Sequence, residues 1–217
     1  MFRAHAWIVL FIISAAVFTS QGLRLTQWHL FYWHPLCMGI GFTALVSETL
    51  LAFPVLHSRP RKQRISDVSA HVIGGIASLV LILAGFSAIY VNKENKGKDH
   101  FTSWHGWLGA IASTGIILQG IAGMMLNVKS LLPKFLLTKR NLLMKMHAFA
   151  GIVFMLMGFT VLSLGAYTKW LSAIFASIPY VGILAQLTIV SLPASFILAI
   201  LSRLLKSGLP LVRYTSD

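Results

Sequence analysis

The sequence predicts an all-α fold of six membrane-spanning helices, and three observations predict it. Hydrophobic residues make up 57% of the 217 positions and charged residues only 11%, too little polar surface to cover the core of a soluble domain of this length. The apolar residues gather into long uncharged runs, as a bilayer core about 30 Å thick demands. The basic residues fall in the short segments between those runs, where positive charge orients membrane helices. The net charge of +13 therefore reads as topology. Membrane lipid is the expected surroundings, and no nucleic-acid partner is expected.

A helix rises about 1.5 Å per residue, so each span needs about 20 residues. The first run is Trp7 to Leu23. The second lies between Arg24 and Arg59, with a helix from about Leu30 to Leu56. The third is Val68 to Val91, the fourth about Ser103 to Leu126, and the fifth Met146 to Thr168. The sixth lies within Trp170 to Leu205, which is longer than one span. Pro179 should start its helix proper and Pro193 should kink it, because proline lacks the N–H that a helix interior uses. Met1 to Thr19 resembles a signal peptide, but it has one Arg in its n-region and no clear cleavage site, so a retained first helix is expected. No repeat, low-complexity tract or terminal soluble domain is expected. Residues 1–217 read as one membrane domain, with helices two to five, about 30–168, forming a four-helix bundle.

With both termini in the cytosol, the cytosolic segments hold thirteen of the eighteen Lys and Arg residues. The other face holds Arg24, Lys93, Lys96, Lys98 and Lys169. This bias sets the expected orientation. Cys37 is the single cysteine, so no internal disulfide or cysteine-based zinc site follows.

Eight histidines occur. His5, His29, His57 and His100 fall near predicted surfaces and read as solvated tail or loop residues. His34, His71, His105 and His147 each lie near the start of a different helix, the second to the fifth in order. Consecutive helices alternate in direction, which puts His34 and His105 near the non-cytosolic face and His71 and His147 near the cytosolic face. In an up-down bundle these are the diagonal pairs. Each pair could grip a flat metallo-macrocycle between two imidazoles, with the two metals roughly 20 Å apart. Two haem b groups fit this pattern. Both axial positions would be filled, leaving electron transfer as the chemistry.

Gly75, Gly109 and Gly151 each follow a histidine by four residues, on the same helix face. A porphyrin beside its ligand needs that face empty, although membrane helices also use glycine for close packing. Met38 stands at the equivalent place after His34. A haem-free metal or proton transporter could use the same histidines. Such metal sites usually add carboxylates or thiolates, and the apolar runs offer only Glu48. A helical scaffold that only binds partners is the third reading.

Trp33-His34-Pro35-Leu36-Cys37-Met38 resembles the WHPxxM motif of the cytochrome b561 family. Ser103-Trp104-His105-Gly106-Trp107-Leu108-Gly109 resembles that family's SLHSWLG, and His147-Ala148-Phe149-Ala150-Gly151 resembles its HxxxG. The resemblance covers nearly the whole chain. It implies electron transfer from cytosolic ascorbate, through two haems, to the monodehydroascorbate radical or a ferric chelate on the lumenal side. It also implies an endoplasmic reticulum or vesicle membrane, and is compatible with a homodimer. Where the family has ALLVYR, whose arginine is linked to ascorbate, this chain has Leu50-Leu51-Ala52-Phe53-Pro54 against the last five letters, with Pro54 in the arginine's place and Val55 after it.

An anionic donor calls for a cationic site near the cytosolic haem. Arg64 and Arg140 each lie seven residues before a histidine, His71 and His147, and share its face if the helices extend that far. Lys145 is a third candidate. Glu48 is fourteen residues after His34, within about 40° of its face and about 21 Å deeper. An ionisable group at that depth is a functional candidate, as proton acceptor or as anchor for a ligand imidazole. On the far side His100, with Lys96 and Lys98, could meet an anionic acceptor.

Overall fold

A computed structural model describes residues 2–20, 29–46 and 61–207. Among these the chain is helical with short connections and contains no strand. Helix α1 is Phe2–Ser20. Helix α2, Leu30–Gly39, runs on into a π-helical stretch, Ile40–Val46. Then come α3 (Arg61–Glu94), α4 (Trp104–Asn127), a short α5 (Lys134–Leu137), α6 (Arg140–Gly165), α7 (Lys169–Ser177), α8 (Pro179–Val190) and α9 (Leu192–Ser207). Helices α3, α4 and α6 are long and apolar enough to cross a membrane, and α8 with α9 would make a fourth span if that bent pair is one. In α1 the apolar stretch Phe2–Phe18 is shorter and falls below that length.

Local chemistry explains the ends. Ser103 caps α4, its hydroxyl oxygen accepting from the Gly106 N–H at 3.2 Å. At the other end of α4 the Leu126 carbonyl, beyond the reach of intrahelical donors, accepts from Arg140 Nε at 3.2 Å and Nη2 at 3.0 Å. That contact ties the start of α6 to the end of α4. Pro179 stands in the first turn of α8, where its missing N–H costs nothing.

The α8–α9 junction bends by 42°. Pro193 has no N–H for the Ile189 carbonyl four residues back, and Ser163 Oγ of α6 donates to that carbonyl at 3.1 Å. One residue earlier, the Thr188 carbonyl accepts from His5 Nε2 at 2.6 Å, and His5 Nδ1 lies 2.8 Å from Ser195 Oγ. His5 is thus not a solvated tail residue. It sits within α1 and bonds to the broken helix pair, because the chain is already helical from Phe2. Phe2, Phe159 and Phe196 pack with ring centres 5.0–5.5 Å apart, joining α1, α6 and α9.

The most extensive packing joins α2 to α3 and α4 to α6, and α3 also packs on α4. Contacts of comparable extent do not join α2 to α4 or α3 to α6 among the described residues. Glycines allow the close approaches. A Cβ on Gly85 of α3 would stand 3.1 Å from Cys37 Cβ of α2. Gly115 of α4 receives the Phe154 ring of α6, and Gly158 of α6 receives the Phe42 ring from the π-helical stretch. Small residues at helix interfaces serve membrane bundles in this way, because lipid offers no hydrophobic drive for helix association.

Candidate paired-histidine sites

His34 on α2 faces His105 on α4, with ring centres 6.2 Å apart and planes at 89°. His71 on α3 faces His147 on α6, with ring centres 6.3 Å apart and planes at 81°. These are the two diagonal couples, and each spans helices that do not pack extensively on one another. All four rings are half-buried.

The separations can be tested against metal ligation. A metal–imidazole nitrogen bond is about 2.0 Å, and the ring centre lies about 1.1 Å behind that nitrogen, so two imidazoles on opposite sides of one metal have centres about 6.2 Å apart. Both couples fit. Among the described residues no group of three or more His, Cys, Asp or Glu side chains is gathered to hold a bare metal ion. Two opposed imidazoles instead suit a metal whose other four positions a macrocycle fills.

A ligating histidine commonly donates its second ring N–H to a neighbour, which fixes the tautomer and the ring's orientation. His34 Nδ1 donates to the Gly85 carbonyl of α3 at 3.0 Å. His105 Nδ1 donates to the Val161 carbonyl of α6 at 3.0 Å. Both therefore leave Nε2 as the nitrogen available to a metal. His147 differs: its Nδ1 is buried and has no hydrogen-bond partner among the described residues.

Glycines surround the rings. Among the described residues, and apart from its own helix backbone, a Cβ on Gly75 or Gly151 would meet nothing within 4 Å. A Cβ on Gly109 would meet only Val161 Cγ1, at 3.4 Å. Two further glycines, which the i+4 pattern does not reach, back the rings from the facing helix. Gly123 of α4 lies against His147, with an added Cβ 3.0 Å from Cε1. Gly165 of α6 lies against His105, with an added Cβ 3.4 Å from Cε1. Each is eighteen residues after the histidine on its own helix, a regularity the sequence carries. It has meaning only once α4 and α6 are known to pair.

The remaining candidates are dispersed. Helices α3 and α6 extend about two turns beyond their apolar runs, so Arg64 and Arg140 lie on the same helices as His71 and His147. The Arg140 guanidinium is engaged with the Leu126 carbonyl, and the Arg64 side chain lies outside the described set. Lys145 is exposed. His100 is half-buried in the α3–α4 connection; its ring stacks on Tyr90 at 4.2 Å and Nε2 pairs with Glu94 Oε1 at 2.8 Å. Lys93 Nζ donates to the Asp99 carbonyl at 2.7 Å in the same connection. Glu48, Pro54 and His57 lie outside the described residues.

The family model described as eukaryotic cytochrome b561 matches residues 33–172, a range that contains all four paired histidines. Transmembrane reductase CYB561D2 of Mus musculus is 34% identical over 174 residues, 78% of this chain and 73% of the relative. Its Homo sapiens counterpart matches to the same extent. Transmembrane ascorbate ferrireductase 2 of Arabidopsis thaliana is 29% identical over 150 residues, 65% of this chain and 62% of that protein. With a family match over more than half of its length and these relatives, the chain belongs to the cytochrome b561 family of transmembrane reductases.

Proposed function

We propose that this protein moves electrons across a membrane by means of two haem b groups, from cytosolic ascorbate to the monodehydroascorbate radical or a ferric chelate on the lumenal side. The observation that carries the reading is the pair of opposed histidine couples, each at the spacing of two imidazoles on one metal. When bound, each haem would supply a reversible one-electron centre with no open coordination position. His71 and His147 would hold the cytosolic-side group, and His34 and His105 the lumenal-side group. The family relatives named for ascorbate dependence support the donor.

The same reading takes the chain as one domain with six spans, both termini cytosolic, in an endoplasmic reticulum or vesicle membrane. Ascorbate releases one electron and one proton per step, and on the other side the electron reduces Fe(III) to Fe(II), or, with a proton taken up from that side, the radical to ascorbate. The proton needs an acceptor, and Glu48 is the carboxylate the apolar runs offer. Of the cytosolic cations, Arg140 serves first as a tie between α4 and α6, which leaves Lys145 and Arg64 as the better candidates for the anionic donor. His100 stands on the acceptor side, held by Tyr90 and Glu94. A transporter of bare metal ions finds no supporting cluster among the described residues.

Protein purified after expression with ample haem is expected to show a b-type reduced-minus-oxidised spectrum with ascorbate as reductant, at two haems per chain. A preparation without haem absorbance overturns the reading.

A second expectation concerns the open faces. Gly75→Leu and Gly151→Leu add bulk where, among the described residues and apart from the helix's own backbone, no protein atom stands within 4 Å of the new Cβ. The helices should assemble as before, but the group between His71 and His147 should be crowded, and the haem-to-protein ratio should fall towards one per chain. An unchanged ratio in both variants would mean that these glycines do not border the haem.

A further inference from the structure

His147 lacks a hydrogen bond that His34 and His105 both have, and the intervals along the helices point to the position its counterpart would take. The Gly85 carbonyl that accepts from His34 lies fourteen residues after His71, on the same helix. The Val161 carbonyl that accepts from His105 lies fourteen residues after His147, again on the same helix. One helix of each packed pair, α3 or α6, thus carries its own histidine near one end. About 21 Å farther on, it carries the support for the histidine of its neighbour. Fourteen residues is close to four whole helical turns, so the two functions share a face.

The same interval from His105 on α4 reaches Gln119. Helix α4 packs extensively on α6, which carries His147. Position 119 therefore stands to His147 as Val161 stands to His105. The glycines obey the same relation: Gly123 backs His147 and Gly165 backs His105, each four residues beyond the supporting position. At position 119 the side chain is polar, and it already touches the ligand-bearing residue. Gln119 Nε2 donates to the His147 carbonyl at 3.2 Å. On that same residue His147 Nδ1 is buried and without a partner among the described residues. A buried N–H left unpaired is destabilising, and the Gln119 amide carries an acceptor as well as a donor.

We propose that Gln119 is the positioning residue of His147, its amide turning from the His147 carbonyl so that its oxygen accepts the Nδ1–H of His147, as backbone carbonyls accept those of His34 and His105. The proposal rests on the dihaem reading above. Its consequence is an asymmetry between the sites. At the His34–His105 site the supports are main-chain carbonyls, which no substitution of their own side chains removes. At the other site the support of His147 is a side chain, open to adjustment. A partner that draws on Nδ1–H makes the imidazole a stronger donor to the metal and favours the oxidised iron.

Potentiometric titration of the purified holoprotein, followed by absorbance and low-temperature EPR, tests this. The component lost in His147→Ala first identifies the site. In Gln119→Leu that component should shift to higher potential, because the acceptor is gone. In Gln119→Glu, nearly the same size, it should shift to lower potential, because a carboxylate draws harder on the proton. The component lost in His105→Ala should stay in place in both variants. If the His147 component does not move, moves the same way in both variants, or moves together with the other, Gln119 is a packing residue and the proposal falls. If Gln119→Leu loses its haem, the sign of the Gln119→Glu shift decides alone. If His147→Ala removes no component, the dihaem reading fails, and this inference with it.

Discussion

Replacing His71 or His147 with alanine should remove one haem and spare the other, and replacing His34 or His105 should do the reverse. The geometry makes each couple a unit: the ring centres stand 6.2 and 6.3 Å apart across the bundle, and an iron held from one side alone loses half of its axial set. Sparing of the second site follows from its hydrogen bonds. His34 and His105 are oriented by the main-chain carbonyls of Gly85 and Val161. Those carbonyls persist when the histidines at the far ends of α3 and α6 are shortened. The haem-to-protein ratio should fall by half in each single variant. His71→Ala with His147→Ala should lose no more than either alone, whereas His71→Ala with His105→Ala should lose both groups. Removal of the same spectral component by His34→Ala and His71→Ala would refute the pairing.

The second large effect concerns sidedness. In sealed vesicles of known orientation, ascorbate trapped on the proposed cytosolic face, to which the six-span reading assigns thirteen of the eighteen basic residues, should reduce a ferric chelate supplied only on the other face. The excess of positive charge concentrates an anionic donor there and speeds its encounter, so raising the ionic strength should slow the initial rate. His105→Ala should abolish the transmembrane reaction while leaving the His71–His147 haem reducible by trapped ascorbate. That split separates entry of the electron from its exit. Reduction seen only when donor and chelate share one side would reject transfer across the membrane.

Much of this arrangement was legible in the sequence because two periodicities are strong. Apolar runs of about 20 residues mark helices in a bilayer whatever their neighbours, and α3, α4 and α6 stand where those runs lie. Direction alternates between consecutive spans, so placing His34 with His105 and His71 with His147 needed no knowledge of side-chain contacts. The bend before Pro193 follows from a missing N–H. Three things were not legible. Helix ends were set too short, because Arg61–Ser66 and Arg140–Lys145 are polar and read as loop, whereas tertiary contacts such as Arg140 on Leu126 continue the helix. His5 looked solvated because nothing local shows that α1 packs against the α8–α9 break. Gln119, Gly123 and Gly165 carry no motif. Their significance depends on the register between two helices, and one sequence read alone does not give that register.

The fourteen-residue interval also acts as a ruler. The distance between the two sites is counted out along the helices in residues rather than fitted to the lipid. Inserting or deleting one residue between His147 and Val161 would turn the latter's carbonyl by about 100° and move it by about 1.5 Å. The ligand and the support would then no longer serve their separate sites from one face. Only changes near a whole turn keep both in place, so the gap can change only in steps of about 5.4 Å. A membrane of different thickness would have to be met by the ends of the spans, and the interior between the two sites would keep its length.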